Sequence, residues 1–163
     1  MNNNPIGVYD SGFGGLSVWR ELHRALPCES LIYLGDGKNC PYGSQSVERI
    51  KQLAEESVRE LVKRGCKMVV VACNTATAVA IEYLREHYPQ IPFVGLEPAV
   101  KPAALTTKSG TIAVLATARS LEGELFLHTS AQYADRVNIL TAVGEGFVEI
   151  VERGEENSPA AEQ

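Results

Sequence analysis

Hydrophobic runs and amphipathic segments alternate along the chain, and this alternation predicts its secondary structure. Six apolar runs have the length of β-strands: PIGVY, LIYLG, KMVVVA, IPFVGL, TIAVLAT and VNILTAV. Between them lie segments with apolar residues at helical spacing. The longest is SVERIKQLAEESVRELVKRG, in which one face would carry Ile50, Leu53, Ala54, Val58, Leu61 and Val62. Shorter helices are predicted in LSVWRELHRALP, TATAVAIEYLREHY, EPAVKPAALTT, SLEGELFLHTSAQYA and GFVEIVERG.

Strands that alternate with helices at this spacing predict an α/β fold of largely parallel sheets with flanking helices on both faces. The strands are continuous apolar runs, which is typical of strands buried on both sides. The pattern of strands and helices is interrupted around residues 96–102, in the segment GLEPAVKP. This interruption predicts two small lobes with the active site between them. We therefore expect a first α/β lobe over 1–97, a partial second α/β lobe over 98–154, and a frayed or disordered tail over 155–163, which lacks an apolar anchor.

Composition narrows the class of protein. The 163 residues are 45% hydrophobic and 21% charged, which suits a globular protein that buries a core, and the net charge is -5. An acidic chain is a poor candidate for binding nucleic acid or an anionic membrane. No apolar run reaches the roughly 18–20 residues of a membrane span, and the N-terminus lacks the basic and apolar regions of a secretory signal. These features predict a cytoplasmic chain.

The cysteines do not predict a metal site or a disulfide framework. They are Cys28, Cys40, Cys66 and Cys73. No C-x-x-C pair occurs, and the three histidines have no metal-ligand spacing to the thiols, so four free thiols are expected. We interpret Cys28 and Cys66 as structural, and Cys40 as a loop cysteine that could approach a site.

Polar residues follow five of the predicted strands. In open α/β sheets, ligands bind beyond the carboxyl ends of the strands. The residues at these positions are Asp10, Ser11, Asp36, the NCPYG loop, Cys73, Asn74, Thr75, Glu97 and Thr117. They are small, polar and rich in hydroxyl groups, which favours a small polar ligand.

The glycine-rich segment DSGFGGLS does not fit a dinucleotide fingerprint. Ser17 occupies the place of the third glycine of G-x-G-x-x-G, and no Walker lysine follows. We interpret the segment as a tight turn whose amides, with the Ser11 hydroxyl, favour an anion such as a substrate carboxylate at a helix N-terminus. In the alternative interpretation, Ser11 only caps the helix and Asp10 only supplies a helix-start charge.

Cys73 ends an apolar run and directly precedes a predicted helix. A strand cysteine is ordinarily a small core residue. At a helix N-terminus, however, the pKa of a thiol is lowered, and Asn74 and Thr75 could cap the helix or hold a ligand's carboxylate or amine. With Asp10 on a neighbouring strand end, a thiol and a carboxylate would face one site. The histidines fall within helices, so no Cys–His nucleophile pair is indicated.

Five blocks, in order over residues 5–154, resemble the glutamate racemases of the aspartate/glutamate racemase family. They are IGVYDSGFGGLSVWREL, IYLGDGKNCPYGSQSVERI, VVVACNTATAVAIEYLRE, VGLEPAVKPAA and IAVLATARSL. The most specific motifs within them are DSGxGG, PYG and ACNTA. The resemblance implies a cofactor-independent isomerase that interconverts L- and D-glutamate for peptidoglycan synthesis, and hence for the cell wall. Family members are often dimers, so the resemblance also raises a homodimer as an expectation.

The family's chemistry needs one base on each face of the substrate's α-carbon. By resemblance, Cys73 is one of two catalytic thiols, Asp10 is the carboxylate beside it, and Glu152 is the acid that supports the second thiol. The substrate-binding positions that the resemblance implies are Asp10, Ser11, Pro41, Tyr42, Gly43, Asn74, Thr75 and Thr117.

The chain departs from the family in one respect. The family's second thiol lies in a GCTHYP-like segment, which is absent from the 163 residues, and the second lobe and its return to the first lobe are incomplete. We therefore expect a truncated chain, or a shortened homologue, with little racemase activity of its own. Two alternatives are an aspartate racemase-like enzyme and a catalytically silent amino-acid-binding homologue.

Overall fold

The computed structural model describes residues 3–161, so residues 1, 2, 162 and 163 of the predicted first lobe and tail lie outside the described part. The chain divides into two compact units between Leu96 and Glu97. The first contains β1 (Ile6–Asp10), α1 (Leu16–Ala25), β2 (Leu31–Gly35), α2 (Val47–Lys63), β3 (Met68–Val71), α3 (Asn74–His87) and β4 (Phe93–Gly95). The second contains α4 (Val100–Thr106), β5 (Thr111–Ala116), α5 (Ala118–Leu121), α6 (Glu124–Tyr133), β6 (Asn138–Val143), α7 (Phe147–Glu152) and a 3₁₀ helix (Pro159–Ala161).

The predicted α/β fold with parallel sheets is confirmed. In the first unit the strands pair in the order β2-β1-β3-β4, and every pairing is parallel. Asp10 lies opposite Gly35, and Tyr9 lies opposite Val71. Strand β1, at the centre of the pairings, is buried along its whole length. The carboxyl ends of β1, β2 and β3 therefore meet at one edge of the sheet.

Helix α2 shows how directly the sequence pattern determines this unit. Its apolar face packs into the main core with Tyr9 and with α3, while Val8 and Ile6 face a second core that includes Trp19 of α1. The Ser46 side chain accepts a hydrogen bond from the Arg49 N–H at 3.2 Å and caps the helix start. Past its end, the chain turns at a glycine with a φ of 79°, a conformation that favours glycine.

The sheet of the second unit has two parallel strands, with Ile112 opposite Ile139. A small core of Val100, Ile112, Phe126 and Val137 lies on one face. On the other face Leu115 is 58% exposed and Leu140 is 53% exposed. The expectation that all strands are covered on both faces is therefore wrong here: β5 alternates between more and less buried positions and β6 is largely exposed, because α4 and α6 pack against one face.

The predicted helix in SLEGELFLHTSAQYA is two helices, α5 and α6. They separate because Gly123 has an extended backbone, with φ -67° and ψ 138°, which interrupts the helical hydrogen bonds. Within the predicted tail, residues 155–161 form turns and the 3₁₀ helix. None of the helices within residues 3–161 is long and apolar enough to cross a membrane.

Candidate functional site

Backbone hydrogen bonds bring the ends of three strands together in the first unit. The Ala72 N–H donates to the Tyr9 carbonyl at 2.7 Å, just beyond β3. The Asp36 N–H donates to the Asp10 carbonyl at 3.0 Å, just beyond β2. The segments that carry Asp10, Asp36 and Cys73 therefore leave the sheet side by side, as expected for parallel strands.

Asp10 organises the glycine-rich loop rather than capping a helix. Its carboxylate is 6% exposed, and Oδ2 accepts hydrogen bonds from the N–H groups of Gly12 at 3.0 Å and Gly15 at 3.2 Å. Helix α1 begins only at Leu16, after Gly15, and has no side-chain cap. The interpretation of Ser11 as the helix cap is therefore wrong, whereas the Asp10 carboxylate does lie at the helix start, where it binds the N–H of the N-cap residue Gly15. Two of the loop amides that we expected to favour an anion are already bound to Asp10.

Cys73 lies at the junction of β3 and α3. Its side chain is 7% exposed, and its Sγ accepts a hydrogen bond from the Ala76 N–H at 3.4 Å, so the cysteine itself is the N-cap of α3. The Ser11 Oγ lies 3.3 Å from the same sulfur. Asn74 and Thr75 belong to the first turn of the helix, so the expectation that they cap it is wrong. The Asn74 side chain is exposed, and Thr75 is buried.

The environment raises the pKa of the Cys73 thiol. Burial is the main cause, and the negative charge of Asp10 adds to it. The hydrogen bonds from Ser11 and from the Ala76 N–H act in the opposite direction but do not outweigh burial. The expectation that the helix N-terminus makes this a low-pKa cysteine is therefore wrong in its net direction. At neutral pH the group is a thiol, which can donate a proton and, once ionised, is a strong base.

The Pro41–Gly43 loop lies next to the same strand ends, but Tyr42 does not present its side chain to a ligand. The ring is 1% exposed. Its hydroxyl accepts a hydrogen bond from the Tyr9 hydroxyl at 2.8 Å and donates to Asp36 Oδ2 at 2.7 Å. Pro41, which follows a cis peptide bond, and Gly43 are half-buried. A contact from Tyr42 to a substrate would therefore have to use its backbone.

Thr117 and Glu152 lie in the second unit. The Thr117 hydroxyl caps α5 by accepting from the Ser120 N–H at 3.3 Å, and it lies 2.9 Å from the Ser120 hydroxyl. Glu152 is the last residue of α7 and is half-buried. Glu97 accepts hydrogen bonds from the Thr129 hydroxyl at 3.1 and 3.2 Å. The roles that the resemblance implies for Thr117 and Glu152 stay predictions.

Two tyrosines near the site were missed by the sequence analysis, which counted them only as strand residues. The Tyr33 hydroxyl donates to the Gly12 carbonyl at 2.6 Å and so holds the glycine-rich loop from β2. Tyr9 anchors Tyr42 from β1. The available signal was a tyrosine within an otherwise aliphatic strand, because a buried phenol needs a hydrogen-bond partner.

Residues 6–163 match the family model described as Asp/Glu/Hydantoin racemase. This chain belongs to that family. The glutamate racemase of Herpetosiphon aurantiacus is 48% identical over 155 residues, which cover 95% of this chain and 61% of that protein. The glutamate racemase of Deinococcus radiodurans is 50% identical over 159 residues, which cover 96% of this chain and 54% of that protein.

Solved glutamate racemases share the fold. Isoform RacE1 from Bacillus anthracis superposes with a TM-score of 0.85 at 34% identity, over 98% of this chain and 60% of that one. The Escherichia coli enzyme was solved with L-glutamate and the activator UDP-MurNAc-ala. It superposes with a TM-score of 0.84 at 35% identity, over 93% of this chain and 57% of that one. This member of the family therefore spans about three fifths of the length of the relatives it matches.

A first prediction concerns the close packing around Asp10 in this racemase-family chain. A Cβ added at Gly15 would lie 2.6 Å from the Asp10 Cβ and 3.0 Å from the Ala72 Cβ, which forces Asp10 away from the loop amides. We expect Gly15→Ala to lower the free energy of unfolding by about 1–3 kcal/mol, as overpacking does. Urea unfolding followed by the fluorescence of Trp19, the chain's single tryptophan, measures this. Gly14→Ala is the matched control, because its Cβ would meet only Asp10 Oδ2 at 3.9 Å. Equal losses in both variants would contradict the prediction.

A second prediction concerns stability in alkali. Burial raises the pKa of Tyr9, Tyr42, Cys66 and Cys73 above ordinary values of 10.0 for the phenols and 9.0 for the thiols. The folded state then holds these protons more tightly than the unfolded state. Their stabilising contribution is complete below the ordinary pKa values and is lost as the pH rises above them. We expect the free energy of unfolding to fall above a pH of about 9, by up to about 1.4 kcal/mol per pH unit for each group. Urea titrations across this range should show a shallower fall for Cys73→Ala, and an unchanged slope would contradict the assignment.

Proposed function

We propose that this chain carries the substrate site and the first proton-transfer group of a glutamate racemase. The observation that carries the proposal is the Cys73 thiol, buried at a strand end with Ser11 against its sulfur and the Asp10 carboxylate close enough to influence its ionisation. A thiol in such a place can move a proton at the α-carbon of an amino acid. Membership of the family and the many glutamate racemases among the relatives support the same reaction.

The chemistry follows from the ionisation of Cys73. The raised pKa keeps the thiol protonated until a ligand arrives. A bound amino acid brings an α-ammonium group, and a positive charge near the sulfur favours the thiolate. The thiolate can then remove the α-proton, and the thiol that results can return a proton to the same face. Asp10 binds the amides of the glycine-rich loop, and its negative charge makes the thiolate a stronger base.

The remaining assignments follow the family resemblance. The first turn of α3 offers Asn74 and Thr75, and the amides at a helix N-terminus favour a substrate carboxylate. Ser11, the Pro41–Gly43 backbone and Thr117 would complete substrate binding, and Glu152 would support a second thiol. On the strength of the resemblance, we infer an enzyme that supplies D-glutamate for peptidoglycan and that can associate as a homodimer. A cytoplasmic location is inferred from the composition and the N-terminal sequence.

The ligands of the solved relatives support glutamate, rather than aspartate, as the substrate that we propose for this chain. The Escherichia coli enzyme was solved with L-glutamate, and the Francisella tularensis enzyme, at 28% identity and a TM-score of 0.82, was solved with D-glutamate. Both match this chain over the unit that carries Cys73, since they cover 93% and 99% of its length.

The test is exchange of the α-hydrogen with solvent. The purified chain is incubated in D₂O with each enantiomer of glutamate and of aspartate, and loss of the α-proton signal is followed by NMR. We expect deuterium to enter glutamate faster than aspartate. Faster exchange of aspartate would favour the aspartate racemase-like alternative. Binding of glutamate by calorimetry without any exchange would favour a silent amino-acid-binding homologue.

A further inference from the structure

Two buried tyrosine hydroxyls form a series of hydrogen bonds that ends at Asp36. The Tyr9 hydroxyl donates to the Tyr42 hydroxyl at 2.8 Å, and the Tyr42 hydroxyl donates to Asp36 Oδ2 at 2.7 Å. Tyr9 is 0% exposed and Tyr42 is 1% exposed, whereas Asp36 is half-buried. These hydrogen bonds therefore link β1, at the centre of the sheet, to the loop that follows β2.

The residues at both ends of this series of hydrogen bonds, Tyr9 and Asp36, make further contacts. Asp36 accepts two hydrogen bonds from the Asn39 amide at 2.9 and 3.0 Å, and Arg49 of α2 donates to the Asn39 side-chain oxygen at 3.4 Å. At the other end, the Ser57 side chain of α2, which is buried, lowers the pKa of Tyr9. Loop 36–43 is thus tied to strand β1 and to helix α2 by side chains.

The two hydrogen-bonded tyrosines share a buried cluster with Cys73. The Tyr9 carbonyl binds the Ala72 N–H directly before the cysteine. An ionised Cys73 sulfur would raise the pKa of both phenols. The groups that change the pKa of Cys73 are Asp10 of β1, which raises it, and Ser11 and the Ala76 N–H, which lower it, while Cys73 in turn affects the pKa of Tyr9 and of Tyr42.

Phenylalanine at positions 9 and 42 would fill almost the same volume without requiring a partner. A buried hydroxyl costs about 1–3 kcal/mol unless it is hydrogen-bonded, so two tyrosines in contact need the third group, Asp36, to satisfy the second phenol proton. Burial raises the pKa of both phenols, so both remain hydrogen-bond donors at neutral pH. The hydrogen bonds therefore all point the same way, from Tyr9 to Tyr42 and from Tyr42 to Asp36. The arrangement fixes where the loop lies relative to β1.

We propose that Tyr9, Tyr42 and Asp36 are positioning residues for Cys73: their hydrogen bonds clamp loop 36–43 onto β1 and keep water away from the thiol. This inference deepens the proposed function and rests on it for the role of Cys73 in proton transfer. It gives the side chain of Tyr42 a role in the thiol's surroundings and leaves its backbone available to a substrate. Loosening the clamp admits water, and since burial is the main cause of the raised Cys73 pKa, the thiol then ionises more easily.

The test measures the ionisation of Cys73 directly. The chain is alkylated with iodoacetamide across a range of pH and digested with trypsin. The peptide of residues 68–85 contains Cys73 as its single cysteine, so mass spectrometry of this peptide gives the rate at that thiol alone. In Tyr9→Phe and Tyr42→Phe we expect the midpoint of the rate profile to fall by about one pH unit, or about tenfold faster alkylation below both midpoints.

The matched control is Tyr83→Phe. It removes a phenol hydroxyl from the same unit, where Tyr83 donates to Glu55 Oε2 at 2.6 Å between α3 and α2. We expect its Cys73 profile to equal that of the unsubstituted chain. Unchanged profiles in Tyr9→Phe and Tyr42→Phe, or an equal shift in Tyr83→Phe, would overturn the proposal. If Tyr9→Phe does not fold, Asp36→Ala decides the same question, because it breaks the clamp and leaves both rings in place.

The alkylation result does not depend on racemase chemistry. If the unsubstituted chain exchanges no α-hydrogen, the proposed function fails while the shift in the Cys73 profile still supports the clamp. If exchange is observed but the profile does not move, the clamp is refuted and the proposed function stands. Where both hold, the pH profile of exchange in Tyr9→Phe should shift in the same direction as the alkylation profile.

Discussion

Replacing Cys73 by alanine is expected to slow exchange of the glutamate α-hydrogen by about 10²–10⁴-fold, the usual loss when a positioned acid/base group is removed. The carbon–hydrogen bond of an amino acid is broken only if a base lies within reach of the proton. In the first unit, Cys73 sits at the strand ends with Ser11 against its sulfur. Deuterium incorporation in D₂O, followed by NMR at equal glutamate concentration, measures the effect.

Two variants separate proton transfer from packing. Cys66→Ala also removes a buried thiol from this unit, but Cys66 precedes β3 whereas Cys73 follows it, so exchange should be retained. Cys73→Ser keeps a group that can hydrogen-bond to Ser11 and to the Ala76 N–H, but a hydroxyl ionises far less readily than a thiol. We expect it to be as slow as Cys73→Ala. Exchange in Cys73→Ala within about tenfold of the unsubstituted chain would assign the base to another residue.

The secondary structure of the first unit could be predicted from sequence because its signals are local. The apolar face of α2 is recorded within one segment of sequence, and the structure buries Ile50, Leu53, Ala54, Val58 and Leu61 as the pattern predicts. In contrast, the pairing of Tyr9 with Tyr42 joins positions 33 residues apart, and no local pattern records it. Placing Asp10 and Cys73 at neighbouring strand ends required only the rule that parallel strands share an edge.

The ionisation of Cys73 could not be predicted, because burial is a property of the folded unit. The sequence shows a thiol before a helix, which alone lowers its pKa. The structure adds the buried cluster around it and the charge of Asp10, which together dominate. The second unit shows the same limit: NILTAV was predicted as a strand like those of the first unit, yet Leu140 is exposed because α4 and α6 pack against the other face of the sheet.

A further expected result is that the 163-residue chain exchanges the α-hydrogen of one glutamate enantiomer much faster than it inverts that enantiomer. A thiolate on one face of the α-carbon can remove the α-proton and become a thiol; the thiol proton exchanges with D₂O, and return of deuterium to the same face gives exchange with retention. Inversion needs a donor on the opposite face. The family resemblance places that donor in a GCTHYP-like segment, and the 163 residues contain none. We expect inversion to lag behind exchange by at least about 10²-fold, the typical contribution of one acid/base partner.

Both rates can be obtained from the same samples. NMR gives deuterium at the α-carbon, and chiral chromatography gives the fraction of the other enantiomer, for L- and D-glutamate separately. The glutamate racemase of Deinococcus radiodurans, of which this chain covers 54%, is a suitable full-length reference, and its two rates should be similar. A single base can serve only one face of the substrate, so with Cys73 in the proposed role the chain should favour one enantiomer, and Cys73→Ala should abolish that preference together with the exchange. Inversion as fast as exchange would contradict the one-thiol site and would mean that another residue, or a second copy of the chain, supplies the opposite proton.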